Sequence, residues 1–552
     1  MAVEFFSLPA ELICHILLFL APKDISHCAM TCKTFWNVAQ NSVDIQYKLE
    51  LYAQGLTETA TLDSISLSRK MSLLEKLTSL WRSEFHLNTV FDKAVVAAAI
   101  DGLPPWLQYS SWTQSVKCGL WWMSTHGGLF IRDCNRIPNL SRTWLKHSLL
   151  SPDQPPIRLT VDPLQDLVVL VFSTVFVDVA DTEEDHHVFW VEFRLASSQN
   201  PHPHSVCISL ECTHTFDAPG LYHVFVTAPS ICGDRVFIYY YLKNMENMTV
   251  STTFIQIIDW RKGYAKRCLL LGGLDNLQQV HAVNQRTIVD FGLNSLTVYT
   301  LQELDGSLHP RLTYLLPKCR QSDMRFTVVH ASPSFCGTAA CTDLMPGHVP
   351  SPESQILVLE FLSGPQWRPL SVILVIDMII FSGMALQSET HVQIPWSEWG
   401  PQHTCCFPHD RTHQISVFGS KIAYVLPQDH TPEPGQRLEE LPDEGHFYIH
   451  IWDFNTRLIT RSKHIYNPDS SDLPIRKPGV VTQSCFDEEI ISNHPYTAIA
   501  YRTPFPTNGF RKLFLEQDRL TLIWSRIGAV DIQVVSPAQT EVGSVNVFVD
   551  EL

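Results

Sequence analysis

From about Ser115 onward the chain is written almost entirely in strand-length apolar runs, and this constrains its fold more than any other feature. The runs DLVVLVF, HVFWVEFRL, HVFVTAP, RVFIYYYL, FIQIIDW, TIVDF, SLTVYTL, ILVLEFL, ILVIDM, HQISVFG, KIAYVL and FYIHIWDF succeed one another, separated by Gly, Pro, Asn and Asp clusters. β-Branched and aromatic residues suit pleated strands, and the separating residues suit turns. No helical periodicity of any length falls between them, so a parallel sheet built on crossover helices is excluded. Residues 115–552 are too many for one sandwich. Repeated small sheets, as in a β-propeller, are therefore expected, with a pair of unrelated β domains as the alternative. The longest apolar stretch, Leu370 to Leu386, is interrupted by Asp377 and rich in β-branched residues, so it reads as paired strands and not as a membrane span.

Three of the runs share a local pattern in which alternating apolar residues end in an acidic or aromatic pair before a turn. They are Phe189–Ser197, Phe254–Gly263 and Phe447–Arg457, the last containing IWDFNT. This pattern resembles the third strand of a WD-repeat blade, whose terminal Asp can bond the backbone of the following turn.

The N-terminal region has a different texture. Leu8, Leu12, Ile16 and Leu20 form one strip of a short helix, with Ile13 and Leu17 beside it. Ser7 suits its N-cap and Pro9 its first turn. Asp24 is placed to cap a second helix carrying Ile25, Cys28 and Ala29, and a third would carry Phe35, Trp36 and Val38. Three helices in about forty residues cannot bury so much apolar surface among themselves. Further on, Leu67, Met71, Leu74, Leu77, Trp81 and Phe85 recur every three or four residues, which predicts one apolar stripe on a helix from about Ser64 to Phe85. Asp101 to Gln108, DGLPPWLQ, then breaks the helical pattern.

The segment LPAELICHILLFLAPKDISHCAMTCKTFWNVA resembles an F-box. Leu8-Pro9, Glu11-Leu12, Ile16-Leu17, Leu20, Asp24-Ile25, Cys32-Lys33 and Phe35 fill the places of that family's pattern in order, with Thr31 departing from the usual apolar residue. The resemblance implies docking on the Skp-type adaptor of a Skp–cullin–F-box ubiquitin ligase. Leu8, Pro9, Leu12, Ile16, Leu17, Leu20 and Ile25 would supply the contact, with Phe35 supporting the helical core. With the stripe of residues 63–85 and the segment Arg158–Phe172, which looks like a first full blade, the chain is similar to F-box proteins of fungal, basidiomycete type. The expected architecture is an α+β multidomain chain: an all-α F-box over 1–52, a helical linker over 53–114 and an all-β, propeller-like recognition domain over 115–552. The implied role is a non-catalytic receptor that brings an unidentified protein substrate to the ligase. The alternatives are an adaptor-bound scaffold without cullin and a propeller enzyme carrying an F-box.

Other function classes are disfavoured. Lys+Arg 40 against Asp+Glu 56 gives a net charge of −16 with no basic run, so no nucleic-acid partner is expected. The 15 cysteines are scattered and odd in number, as free buried thiols are. The first basic residue is Lys23, and Glu11 and His15 interrupt the apolar run, so no secretory signal is read. The retrieval-like ending Val549-Asp550-Glu551-Leu552 is then incidental, and the cytoplasm or nucleus is expected. No nucleophile elbow, zincin motif or phosphate loop occurs, and no cofactor is expected. Weak metal candidates are His403, Cys405, His409 and His413, near Cys406, but no CxxC pair occurs and a loop leading into a strand is the preferred reading, so no metal is expected. Arg235, Arg286, Arg325 and Arg411 lie near strands, and no convergence among them is legible.

Overall fold

The computed structural model describes residues 8–81, 87–96, 113–125, 128–134, 156–173, 176–198, 200–247, 250–270, 279–292, 294–302, 306–318, 325–335, 345–363, 370–382, 390–432, 436, 438–458, 475–476, 479–481, 485–526 and 529–537. Ser7, Phe85, Asp101 to Gln108 and the Val549–Leu552 ending lie outside these.

The N-terminal apolar run forms helix α1 (Ala10–Phe19), with Pro9 at its N-cap, where a missing N–H breaks no helical bond. Helices α2 (Pro22–Thr31), α3 (Lys33–Asn41) and α4 (Val43–Gln54) follow. Asp24 is not the cap of α2. Pro22, with its φ preset for the first helical position, starts the helix and leaves Asp24 in the first turn, where its charge suits the helix dipole. Ile13, Leu17, Ile25, Ala29, Val38 and Ala39 close over Ile45, which comes from α4, a helix beyond the three expected. The same α4 sends the Lys48 ammonium to the Leu18 and Leu20 carbonyls, 2.7 and 2.8 Å away, satisfying acceptors that the end of α1 leaves open.

The helix expected over 64–85 is α5 and runs from Leu67 to Ser79. The segment to 114 is not helical throughout: Leu87–Val96 is a strand, antiparallel to Ala529–Pro537. Its partner lies more than four hundred residues away in the chain, so local pattern alone could not reveal the pairing. The stretch Leu370–Leu386 also departs from expectation. One strand, Leu370–Asp377, is followed by a 3₁₀ turn at Met378–Phe381, because the Asp377 carboxylate accepts from the Ile379 N–H at 3.0 Å.

Seven sheets form the blades, in chain order, and two two-stranded ribbons, Leu56–Glu58 with His348–Pro350 and Gly479–Val481 with Ile490–Ser492, lie outside them among the described residues. Blade 1 holds Thr113–Lys117, Leu120–Thr125 and Gly128–Asp133. Blade 2 holds Arg158–Asp162, Leu167–Ser173, Asp185–Leu195 and Ser209–Thr215. In blade 3 the innermost position is split between Gly220–Val226 and Ser230–Cys232, followed by Arg235–Asn244, Val250–Asp259 and Tyr264–Leu269. Blade 4 is Gln279–Ala282, Thr287–Phe291, Ser295–Leu301 and Leu308–Leu315. Blade 5 is Arg325–Ala331, Ile356–Ser363, Leu370–Asp377 and Thr404–His409. Blade 6 is Ile415–Phe418, Lys421–Leu426, His446–Asp453 and Tyr496–Ala500. Blade 7 takes Phe510–Leu515, Leu520–Arg526 and Ala529–Pro537 from the end of the chain and Leu87–Val96 from upstream of blade 1.

The sheets form a closed ring, because a buried apolar cluster joins each blade to the next. Six clusters link blades 1 to 7 in sequence. A seventh packs Trp121 and Met123 of blade 1 on Ile523, Ile532 and Val534 of blade 7. Each blade packs against a buried core on both faces, which explains near-continuous apolar runs such as ILVLEFL where one-sided sheets would alternate. Hydrogen bonds also span every junction. Gly119 N–H reaches Glu516, Lys117 reaches Asp162, Gln165 reaches the Gly233 carbonyl and Arg235 the Gln285 carbonyl. Val329 N–H reaches Gln279, Gly419 N–H reaches Ser332 and Leu515 N–H reaches Ser416. The sheets therefore close as a seven-bladed propeller, with Leu87–Val96 from upstream of blade 1 sharing the last sheet with Ala529–Pro537.

The three runs resembling third strands are third strands, of blades 2, 3 and 6. Asp259 accepts from Lys262 N–H at 3.1 Å, and Asp453 from Asn455 N–H at 3.0 Å and from the Ser420 hydroxyl. The segment Arg158–Phe172 opens blade 2, the first sheet with four described strands, and blade 1 precedes it.

Candidate functional site

Helix α1 divides its side chains between two surroundings. Ile13 and Leu17 face the small helical core, while Leu12, Ile16 and Phe19 on the other side are 51%, 40% and 81% exposed. Pro9 is exposed at the same end, and Leu8 and Leu20 lie half-buried against the core. Two of the expected contact residues are therefore corrected. Leu17 and Ile25 are interior, at 2% and 0% exposure, because the 3.6-residue period turns Leu17 inward one turn after Ile13 and Ile25 closes over both. Phe35 packs half-buried on the same core.

Exposed apolar side chains outside the expected contacts include Phe19, Met30, Trp36 and Val43. Phe19 lies three residues after Ile16 and seven after Leu12, so its place on the outer stripe was legible in the spacing. Trp36 and Met30 are also exposed; for Met30 the sequence carries no periodic signal. Transferring any one of these side chains from water into a protein interface would contribute about 1.5–3 kcal/mol. The His15 and Phe19 rings meet edge-on at 5.3 Å between centroids.

The F-box-like family model matches residues 5–44, which cover α1, α2 and α3. Residues 5–44 are an F-box-like domain. No curated protein matches the chain. Among solved structures, the AfRom2 CNH domain aligns at a TM-score of 0.33 and 9% identity over 82% of this chain and 100% of that one. Saccharomyces cerevisiae Sqt1 aligns at a TM-score of 0.27 and 12% identity, over 67% and 80%. The β-propeller domain of the Trilobed protease from Pyrococcus furiosus aligns at 0.24 and 9%, over 57% and 82%. The propeller assignment here rests on the seven sheets and their closure.

The F-box is seated on one face of the propeller, the lower face, where turns join first to second and third to fourth strands. Gly55 ends α4 with φ +67°, and the chain continues as a strand, Leu56–Glu58, paired antiparallel with His348–Pro350. That partner strand lies in the long connection between the first two strands of blade 5. The Tyr47 hydroxyl and His348 Nε2 are 2.9 Å apart in a buried pair, and burial lowers the His348 pKa. Asn455 of blade 6 donates to the Ala53 carbonyl at 2.9 Å, and the Arg457 guanidinium lies 4.1 Å from the Tyr52 ring centroid. Trp81 donates its indole N–H to the Gln517 carbonyl of blade 7 at 2.7 Å. Lys70 and Glu58 form an ion pair within the linker.

The candidate metal ligands do not converge. His403 ends helix α6 (Trp396–His403), while Cys405 and Cys406 are neighbours on a strand and point to opposite faces, one into each adjoining core. Burial raises both thiols, Cys406 to about 12. The structure does bring His409 and His413 together, around Tyr424. His409 Nδ1 is 2.7 Å from the Tyr424 hydroxyl and Nε2 is 3.4 Å from Glu360, while His413 Nε2 reaches the Glu439 carbonyl. Burial would raise the Glu360 carboxyl, but hydrogen bonds from His330 and His409 outweigh it and leave the pKa at about 2. No group of three His, Cys, Asp or Glu placed to hold a metal occurs among the described residues. Arg235, one of the four noted arginines, is engaged between blades 3 and 4.

Proposed function

We propose that this chain is the substrate-receptor subunit of a Skp–cullin–F-box ubiquitin ligase and itself performs no chemical step. The observation that carries this reading is the apolar strip Leu12–Ile16–Phe19 on an F-box hydrogen-bonded to one face of a propeller. A surface that offers three large apolar side chains to water is suited to docking by desolvation. The strip would meet the Skp-type adaptor, and the cullin would be recruited through it. The F-box–propeller contacts all lie on lower-face turns among the described residues. The upper face would then hold a target protein at high local concentration beside the charged ubiquitin enzyme, in the cytoplasm or nucleus.

Co-expression with a Skp-type adaptor tests this reading. Leu12→Ala with Ile16→Ala should reduce adaptor recovery about tenfold or more while the melting temperature stays at the wild-type value. Undiminished recovery would overturn the assignment. Cullin in the same eluate would separate a ligase receptor from an adaptor-bound scaffold.

A further inference from the structure

Blade 3 carries an aromatic surface that neither neighbouring blade covers among the described residues. On the side facing blade 2, Val177, Val179, Tyr222, Val224, Val226, Tyr240 and Leu242 are buried in one core. On the opposite side the core shared with blade 4 reaches only as far as Tyr241. Beyond it the same face continues through Phe225 and His223 of the inner strand to Phe176 of Phe176–Val179, a strand added where the second and third strands of blade 2 connect. The rings form a ladder. Tyr241 stacks on Phe225 at 4.7 Å and 12°, Phe225 lies 4.0 Å from His223, and His223 meets Phe176 edge-on at 5.0 Å. Phe176 is half exposed, and Phe225 and the adjoining Leu221 are more than a third exposed. The ladder lies toward the upper face, opposite the F-box, because Phe176–Val179 and the Asn244 end of its strand belong to second-to-third connections.

We propose that this face receives an extended, Arg- or Lys-bearing segment of a partner protein. Charge complementarity selects that occupant. Asp178 shares the face, directly opposite Leu221. The turn after it carries exposed Asp181, Glu183 and Glu184. Lys243, paired with His223, is the basic side chain on this face. A guanidinium stacks on aromatic faces and pairs with carboxylates, so a ladder of rings rimmed by acids suits it on both counts. The same acids repel a phosphorylated segment, and a second copy of a chain with net charge −16 would bring like charges together. Phe176–Val179 is the last strand of its sheet among the described residues, and such an edge offers backbone pairing to an extended chain. The proposal rests on the receptor reading only in taking the segment to belong to a ligase target.

Fluorescence anisotropy on the full chain tests it with three short labelled peptides that alternate Leu with Arg, Glu or phosphoserine. The Arg-Leu peptide should bind, with its Kd raised about tenfold or more by Phe176→Ala with Phe225→Ala. The surface pair Asp178→Asn with Glu183→Gln should weaken binding and flatten its dependence on salt. This second pair removes no buried group, so it decides the matter if the phenylalanine variant melts early. No binding of the Arg-Leu peptide, equal affinity in the charge variant, or preference for the Glu-Leu or phosphoserine peptide would overturn the proposal. Concentration-dependent dimerisation in sedimentation, abolished by Phe176→Ala, would overturn it in favour of self-association. Adaptor recovery measured on the same variants should remain at the wild-type level, so failure here and failure of the receptor reading give different results.

Discussion

Leu12, Ile16 and Phe19 differ from Ile13 and Leu17 only in the side of a ten-residue helix they occupy, and that side decides what each substitution does. Phe19→Ala removes a side chain that is mostly in water, so stability should change by less than about 0.5 kcal/mol while adaptor recovery falls. Ile25→Ala instead opens a cavity under α1 and should cost about 2–4 kcal/mol, reducing adaptor recovery only through unfolding. Denaturant melts of the isolated chain beside adaptor pull-downs separate the two effects. Gly55 is constrained more tightly still. Its φ of +67° disfavours any side chain, and a β-carbon there would stand 2.5 Å from Ser354 Cβ. Gly55→Val should therefore dislodge the F-box from the propeller, seen as new protease cleavage near residue 55 with the propeller fragment intact.

Helix α4 joins the two domains because its faces serve different masters. Ile45 and Lys48 complete the F-box, while Tyr47 and Ala53 are buried toward blades 5 and 6. Asn455→Ala leaves the Ala53 carbonyl without its buried donor, a loss of about 1–3 kcal/mol. Slower amide exchange in α4 than in α1 of the wild-type chain, and loss of that difference in Asn455→Ala, is the expected outcome. The strand Leu87–Val96 has the complementary role at the ring's closure. It binds the last sheet from upstream of the first, so unfolding one blade means opening the ring.

At the scale of the whole molecule, burial sets the acid response. His214, His281, His413 and His450 all sit near pKa 4, lowered chiefly by burial. Between about pH 6.5 and 4 the unfolded chain binds protons at these sites and the folded chain does not, so stability falls as pH is lowered through that window. The melting temperature should drop steadily from pH 7 to 5, and a flat profile would contradict the buried, neutral placement of these rings. Much of this protein was legible in its residues. Consecutive β-branched runs marked repeated small β-sheets, the runs ending in an acidic or aromatic pair marked third strands, and the ordered Leu-Pro, Ile-Leu and Cys-Lys pairs marked the F-box, since each is a local pattern. Tertiary structure alone decided that Leu17 and Ile25 are interior, that Leu87–Val96 closes blade 7, and that Cys405 and Cys406 face different cores. It also assembled the ladder of Phe176, His223, Phe225 and Tyr241 from two blades. Periodicity fixes which side of an element is apolar, whereas exposure and partnership depend on what distant chain is packed against it.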